Sequence, residues 1–171
     1  MKNQLPAQAE RRQLLDCAIQ AARAGGDIIR AGTKRRAELV IEHKRLNDLV
    51  SEIDRRSEAA IVETILRTFP LHAILAEEGG GSAPEGGDDY LWIVDPLDGT
   101  TNFLHGFDHF AVSIAVQYGD TLVAAVVYDP VREHLFEASL GGGASLNGKP
   151  IHAAQRSGLR EALVSTGLPY P

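Results

Sequence analysis

Residues 90–107 read YLWIVDPLDGTTNFLHGF, and they predict a strand that ends abruptly in a turn. The segment YLWIV (90–94) contains the aromatic and β-branched residues that favour strands. In the following DPLDG (95–99), Pro96 suits the second position of a turn because its ring fixes φ, and Gly99 suits a position further on. A turn that ends a strand is therefore the simplest interpretation of this stretch.

Asp95 and Asp98 allow a second interpretation, a binding site. A turn would bring both carboxylates to one side, where their oxygens could share a hard cation. The backbone N–H groups of Gly99 and Thr100 would face the same space, which suits a phosphate. The local pattern leaves the turn and the site both open.

A second acidic pair, Glu77-Glu78, closes the predicted strand HAILAEE (72–78) and precedes a glycine-rich loop over 79–87. Two acidic strand ends at one edge of a sheet can converge. Neighbouring residues of a strand point to opposite faces, so we expect only one of the pair to reach the site and Glu78 to remain in solvent.

The remaining pattern predicts two long helices and an antiparallel sheet, an α+β fold. Apolar residues recur at helical spacing over 7–31, interrupted by Gly25-Gly26, and again over 48–69, where Asp48 is a good N-cap. Short strands joined by tight turns pair antiparallel, so both helices should pack on one such sheet. The further strands are predicted at 37–44, 109–118, 121–129 and 133–139, with a turn at Asn147-Gly148.

Composition narrows the function classes. With 171 residues the chain suits one domain, and its net charge of -6 argues against nucleic acid as a partner. The single cysteine, Cys17, lies in a helical pattern and is expected to be a buried thiol. The N-terminus lacks the apolar segment of a signal peptide and no stretch is long enough to span a membrane, so we expect a cytoplasmic protein.

The stretch WIVDPLDGTTNFLHGF, together with LAEEGG (75–80), resembles the inositol monophosphatase family of lithium-sensitive, Mg²⁺-dependent phosphomonoesterases. DLVSEIDRRSE (48–58) is similar to the second-helix motif of that family, and residues 110–151 resemble its central hairpins. The resemblance covers nearly all of the chain from about Leu14. It implies a layered α/β sandwich, of which this chain would be the N-terminal half with two helices packed on an antiparallel sheet.

The resemblance also implies a set of metal ligands. Glu77, Asp95 and the backbone carbonyl of Leu97 would hold one Mg²⁺. Asp95 and Asp98 would share a second, and Glu77 would also touch a third, loosely held ion. Such ions make water a better nucleophile and neutralise the leaving oxygen.

Phosphate binding and water activation are implied for neighbouring residues. Gly99 and Thr100 would bind phosphate through their N–H groups, while the Thr100 hydroxyl and Asp54 would orient the attacking water. Attack in line needs no phospho-enzyme. Local sequence alone makes Asp54 an ordinary helix-surface acid. His105 and His109 lie near the motif but are expected to be structural or solvent-facing, not ligands.

Family members are longer, and their second half carries a Trp-Asp motif that completes the second metal site. The only tryptophan here is Trp92. We therefore expect the C-terminal half to be absent, with a metal-site domain over 1–158 and the first strand of a truncated second domain over 159–171. The chain would be a fragment of the full enzyme, and efficient turnover would need the longer form.

Three functions remain open at this point. The first is hydrolysis of inositol monophosphate or a related sugar phosphate, a small-molecule phosphate monoester, by an enzyme that the resemblance suggests is a homodimer. The second is the same chemistry with fructose bisphosphatase, nucleotide 3′-phosphatase or histidinol phosphatase specificity. The third is a non-catalytic remnant that binds metal or a partner. A haloacid dehalogenase is disfavoured because its aspartates are two residues apart.

Overall fold

The structure is a computed structural model that describes residues 4–35, 41–45, 48–82, 88–155 and 158–165. Its helices are α1 (Gln8–Thr33), α2 (Glu52–Thr68) and the short α3 (Thr100–Leu104). Its strands, in chain order, are β1 (Ile41–Arg45), β2 (Asp48–Ser51), β3 (Ala73–Ala76), β4 (Gly80–Ser82), β5 (Tyr90–Asp98), β6 (Ala111–Tyr118), β7 (Thr121–Asp129), β8 (His134–Ser139), β9 (Gly143–Leu146) and β10 (Lys149–Ile151).

One sheet carries the fold. Within the described residues its strand order is β10-β9-β8-β7-β6-β5-β3-β4, while β1 and β2 form a separate hairpin. The predicted α+β class, with two helices on a sheet of tight antiparallel hairpins, is confirmed. One pair departs from the antiparallel pattern: β3 lies parallel to β5, with Ala76 opposite Val94. The predicted glycine loop contains β4, which pairs with β3, and residues 83–87 lie outside the described part.

Helix α1 passes through Gly25-Gly26 without a break, although the sequence pattern is interrupted there. Packing explains the two glycines. A Cβ on Gly25 would lie 2.7 Å from Ser57 Oγ, and one on Gly26 would lie 2.5 Å from the Tyr128 ring. Their missing side chains let α1 lie closely against α2 and β7.

The predicted start of the second helix is wrong. Asp48 is not an N-cap but the first residue of β2, which pairs antiparallel with β1 before α2 begins at Glu52. Pairing between two short strands depends on both partners, so the propensity of one residue does not reveal it. Residues 41–44 of the predicted strand 37–44 belong to β1, and residues 37–40 lie outside the described part.

The core lies between the two long helices and one face of the sheet. Alternate residues of β5 and β6 face the helices, and Trp92, Val112 and Val116 have no exposed surface. Cys17 on α1 is buried among them, as predicted. The opposite face of the sheet leaves large apolar side chains exposed, among them Leu75.

Near its end the chain forms a single 3-10 turn at Leu159–Glu161, and residues 162–165 have no regular secondary structure. Residues 166–171 lie outside the described part, so a second domain beginning within 159–171 stays a prediction. Among the described helices, none combines the length and the apolar character needed to cross a membrane.

Candidate active site

The parallel pair β3 and β5 brings two acidic segments to one edge of the sheet. Parallel strands have their C-terminal ends on the same side. Because Ala76 lies opposite Val94, the next residues along the chain, Glu77 and Asp95, are neighbours. The convergence expected from two acidic strand ends therefore arises from the parallel pairing of β3 with β5.

A β-bulge places Asp95 and Asp98 on the same face of the sheet. Asp95 lies opposite Ser113 of β6 and Asp98 lies opposite Ala111, so β5 has one more residue than its partner in this interval. Without that extra residue, side chains three apart would point to opposite faces. The predicted turn at 95–99 is therefore a bulge within a strand that continues to Asp98.

Pro96 fits the bulge because a residue without an N–H group leaves no ladder donor unpaired there. The N–H of Leu97 donates to Asp95 Oδ1 at 3.1 Å, and the Leu97 side chain is buried. The Leu97 N–H thus orients the first aspartate of the bulge.

Burial and neighbouring acids raise the pKa of Asp95 to about 7. Loss of solvent around the half-buried carboxyl is the largest cause, followed by the charges of Glu77 and Asp98 and a hydrogen bond shared with Glu77. The N–H of Leu97 opposes the shift by stabilising the carboxylate. A cation bound beside these acids would relieve their repulsion.

A second group links α2 to the segment after the bulge. Thr100 Oγ1 lies 3.1 Å from Asp54 Oδ2 and 2.9 Å from the carbonyl oxygen of Leu97. Asp54 is almost fully buried, at 1% exposure, so it is not the helix-surface acid that local sequence indicates. The geometry connects Asp54, Thr100 and Leu97 directly.

The pKa of Asp54 is also raised to about 7. Burial is the main cause, and the charge of Glu78 comes next, ahead of Glu77 and Asp95, while the Thr100 hydrogen bond lowers the pKa. The expectation that Glu78 stays apart in solvent is wrong. Strand β3 ends at Ala76, so alternation between faces does not apply to the turn that follows.

Gly99 is the N-cap residue of α3 and has the left-handed backbone conformation that favours glycine. Its φ is +93°, and a Cβ there would lie 3.0 Å from the carbonyl oxygen of His109. The first N–H groups of a helix have no acceptor within the helix. Gly99 and Thr100 stand at this point, beside the Asp54–Thr100 contact.

The histidines near the motif face solvent. His105 and His109 are both exposed, and the backbone carbonyl of His109 accepts a hydrogen bond from Asn102 Nδ2 at 2.8 Å. Among the described residues, no group of three His, Cys, Asp or Glu side chains is arranged to hold a metal ion as it stands.

Two residues that the sequence interpretation did not single out also support the site. Ser57 and Glu58 are buried on α2, one turn after Asp54. A signal for Ser57 was present, because it replaces an apolar residue in the stripe formed by Ile53, Ile61 and Ile65. Polar residues on the buried side of a helix need partners there, and both have one.

Comparison with known proteins places these features in a family. The profile of the inositol monophosphatase family matches residues 10–170. The Nus factor SuhB of Pseudomonas aeruginosa is 47% identical over 158 residues, which cover 92% of this chain and 58% of that protein.

Solved structures agree with the sequence comparison. The extragenic suppressor protein SuhB of Bartonella henselae superposes with a TM-score of 0.81 at 35% identity, covering 84% of this chain and 55% of the other. An inositol monophosphatase from Anabaena gives a TM-score of 0.74 at 36% identity, covering 86% of this chain and 52% of its own. The chain thus spans between half and three fifths of the length of these relatives. With nearly its whole sequence matched by the family profile, the chain belongs to the inositol monophosphatase family.

Proposed function

We propose that the protein is a Mg²⁺-dependent phosphomonoesterase that hydrolyses inositol monophosphate or a related sugar phosphate in the cytoplasm. The observation that carries this proposal is the meeting of Glu77 and Asp95 at the ends of parallel strands, with Asp98 turned to the same face by the bulge. The Anabaena relative, named as an inositol monophosphatase, supports the substrate class.

The residues present suit Mg²⁺. Their donor atoms are all oxygens, which this ion prefers. The pKa of Asp95 is raised by burial and then by the neighbouring acids, and a cation would stabilise those acids in their charged form. Glu77, Asp95, Asp98 and the Leu97 carbonyl are the proposed ligands. When bound, Mg²⁺ supplies Lewis-acid chemistry that makes an attacking water more acidic and neutralises charge on the phosphate.

The chain's own residues would position the water and the phosphate. Asp54 Oδ2 and Thr100 Oγ1, hydrogen-bonded to each other at 3.1 Å, are close enough for one water to contact both a carboxylate and a hydroxyl. With a pKa of about 7, Asp54 can accept a proton from that water near neutral pH. The N–H groups of Gly99 and Thr100 would donate to phosphate oxygens.

The test is phosphate release from inositol monophosphate with and without Mg²⁺. It uses the 171-residue chain and a hybrid in which the remaining part of the Pseudomonas aeruginosa relative follows it. We expect Mg²⁺-dependent release by the hybrid, and the Asp95→Asn variant to reduce it to the level without Mg²⁺. Asp120→Asn, at an exposed hairpin tip, is the matched control and should leave release unchanged.

Release by the chain alone that Asp95→Asn abolishes would contradict the expectation that turnover needs the longer form. No release by either protein would overturn the proposed activity. Parallel assays with fructose bisphosphate, a nucleoside 3′-phosphate and histidinol phosphate distinguish the related specificities. Sedimentation of the hybrid tests the proposed homodimer.

A second candidate function is that of a Nus factor, the role named for the Pseudomonas aeruginosa relative. This role corresponds to the partner-binding alternative. If the protein acts in this way without chemistry, Asp95→Asn should abolish phosphate release but leave the Nus-factor role intact in a strain that depends on it.

A further inference from the structure

Helix α2 presents three buried polar side chains towards the candidate site. Asp54, Ser57 and Glu58 are 1%, 0% and 7% exposed. Residues three and four apart share one face of a helix, so all three point in the same direction. Each one contacts a different segment of the chain, and only Asp54 has a place in the proposed chemistry.

Ser57 holds the bulge. Its Oγ donates to the carbonyl oxygen of Pro96 at 3.0 Å. This contact joins α2 to the residue between Asp95 and Leu97, on the strand that carries the two aspartates.

Glu58 holds the other acidic segment. Its Oε2 accepts a hydrogen bond from the backbone N–H of Glu78 at 2.7 Å, and the side chain is buried. Its other oxygen lies against Gly79, where a Cβ would be only 2.7 Å away. The turn after β3 therefore rests directly on the Glu58 carboxyl group.

These contacts fix Glu77 from both sides. Before it, Ala76 is held in register with Val94 by the sheet. After it, Glu78 is held by Glu58. With both neighbours held, the backbone of Glu77 is fixed at the position from which its carboxyl group reaches Asp95.

We propose that Glu58 is a positioning residue that holds Glu77 beside Asp95 by accepting the Glu78 N–H. The inference rests on the proposed function, because it takes Glu77 and Asp95 as Mg²⁺ ligands. Residues that orient metal ligands through hydrogen bonds typically change metal affinity by about 10–100-fold when mutated. Glu58→Ala should therefore weaken Mg²⁺ binding by at least about tenfold.

Two variants separate the hydrogen bond from the charge. Glu58→Gln keeps the length of the side chain and an acceptor oxygen, so it should restore most of the affinity. Glu63→Ala removes the same charge from an exposed position on the same helix, where Glu63 pairs with Arg67, and should leave the affinity unchanged.

The experiment measures two quantities on the full chain. Amide hydrogen exchange of Glu78, without metal, reports the contact itself, and calorimetric titration with Mg²⁺ reports its effect on the ligands. Faster Glu78 exchange and weaker Mg²⁺ binding in Glu58→Ala, with both restored in Glu58→Gln, support the inference. Unchanged exchange in Glu58→Ala overturns it, as does unchanged affinity alongside faster exchange.

Failure of the proposed function is seen separately. If the wild-type chain and its hybrid bind no Mg²⁺, the function is overturned and with it the role of Glu58 towards the metal, whatever the exchange data show.

If Glu58→Ala does not fold, Gly79→Ala provides a second route. Its methyl group displaces the Glu58 carboxyl without removing it, and Glu78 exchange should again become faster. Unchanged exchange in Gly79→Ala would count against the contact.

Discussion

At Gly99 one residue meets two separate restrictions, a φ of +93° and a neighbouring carbonyl oxygen 3.0 Å from where a Cβ would lie. Gly99→Ala should therefore lower the free energy of unfolding by about 1–3 kcal/mol. Urea denaturation measures this. Gly119→Ala is the matched control, since Gly119 also has a positive φ but no atom within 4 Å of its added Cβ. A Gly99 variant no less stable than the Gly119 variant would show that the His109 contact has no effect.

At this scale the sequence indicates which residues meet at the site, but not their geometry. The pattern points to Asp95, Asp98 and Gly99 because carboxylates and a glycine together suit a charged ligand, and the chemistry assigned to them stays a prediction. The bulge that orients the aspartates was not predicted, because it is defined by the register with β6 and not by β5 alone. The burial of Asp54 likewise depends on contacts with segments far along the chain.

Between elements, α1 packs closely on α2 at Gly25. In an exposed helix, replacing glycine by alanine stabilises by about 1 kcal/mol. Here the added methyl would lie 2.7 Å from Ser57 Oγ and 2.8 Å from Ile61 Cδ1, so overpacking should win. We expect Gly25→Ala to destabilise by about 1–3 kcal/mol in thermal unfolding.

The control for Gly25 is the opposite substitution on the same helix. Ala31 is exposed, so Ala31→Gly should destabilise α1 through helix propensity alone. We therefore expect both substitutions to destabilise the protein, although one replaces glycine by alanine and the other replaces alanine by glycine. A stabilised Gly25→Ala variant would mean that α1 and α2 separate easily at this point.

His72 connects the end of α2 to β5 through a buried contact. Trp92 Nε1 donates to His72 Nδ1 at 3.0 Å, which assigns the ring proton to Nε2 in the neutral form. The imidazole stacks between Phe69 and Tyr90, with ring centroids 4.5 Å and 4.4 Å away. Protonation would place two N–H groups against each other.

Burial lowers the pKa of His72 below its ordinary value of 6.5, although the charges of Asp88 and Glu10 oppose the shift. Between the folded pKa and 6.5 the unfolded chain binds more protons, so stability is lost as pH falls through that window. The slope from this group has this sign and is at most about 1.4 kcal/mol per pH unit, the limit for one proton. His72→Gln should flatten that part of the profile in urea titrations at successive pH values, whereas His105→Gln at an exposed position should not. An identical slope in His72→Gln and the wild type would contradict this assignment.

Element by element, periodicity predicted both long helices and the hairpins β6–β7 and β7–β8, because each of these forms from residues close in sequence. It did not predict β2, β4 or the parallel pairing of β3 with β5. Strands β2 and β4 are short, and their formation depends on pairing with β1 and β3 more than on their own residue composition. The third joins residues separated by an intervening strand and loop, and no local pattern distinguishes it from an antiparallel pair.

Across the whole molecule, the helices cover one face of the sheet and leave the other uncovered within the described residues. The pairing register aligns small and apolar side chains in one row across that face, from β3 to β8: Leu75, Ile93, Ala115, Ala125 and Ala138. A larger apolar pair, Val127 opposite Phe136, flanks this row. Asp95 follows Val94, which faces the helices, so alternation directs the Asp95 side chain towards this uncovered side.

An apolar face of this kind rarely stays exposed to water in a monomer. Leu75, Val127 and Phe136 are 49%, 41% and 39% exposed. We therefore expect the 171-residue chain, produced alone, to associate with a second copy through this face, as seen in concentration-dependent sedimentation.

Val127→Lys would place a charge in the middle of the contact and should shift the chain towards monomer, whereas Gln13→Lys, on the exposed side of α1, should not. A wild-type chain that remains monomeric at every concentration, or a Val127→Lys variant that associates equally well, would show that this face is not the contact. In the hybrid with the longer relative, the same face should become inaccessible if the added segment covers it, and the effect of Val127→Lys on association should then disappear.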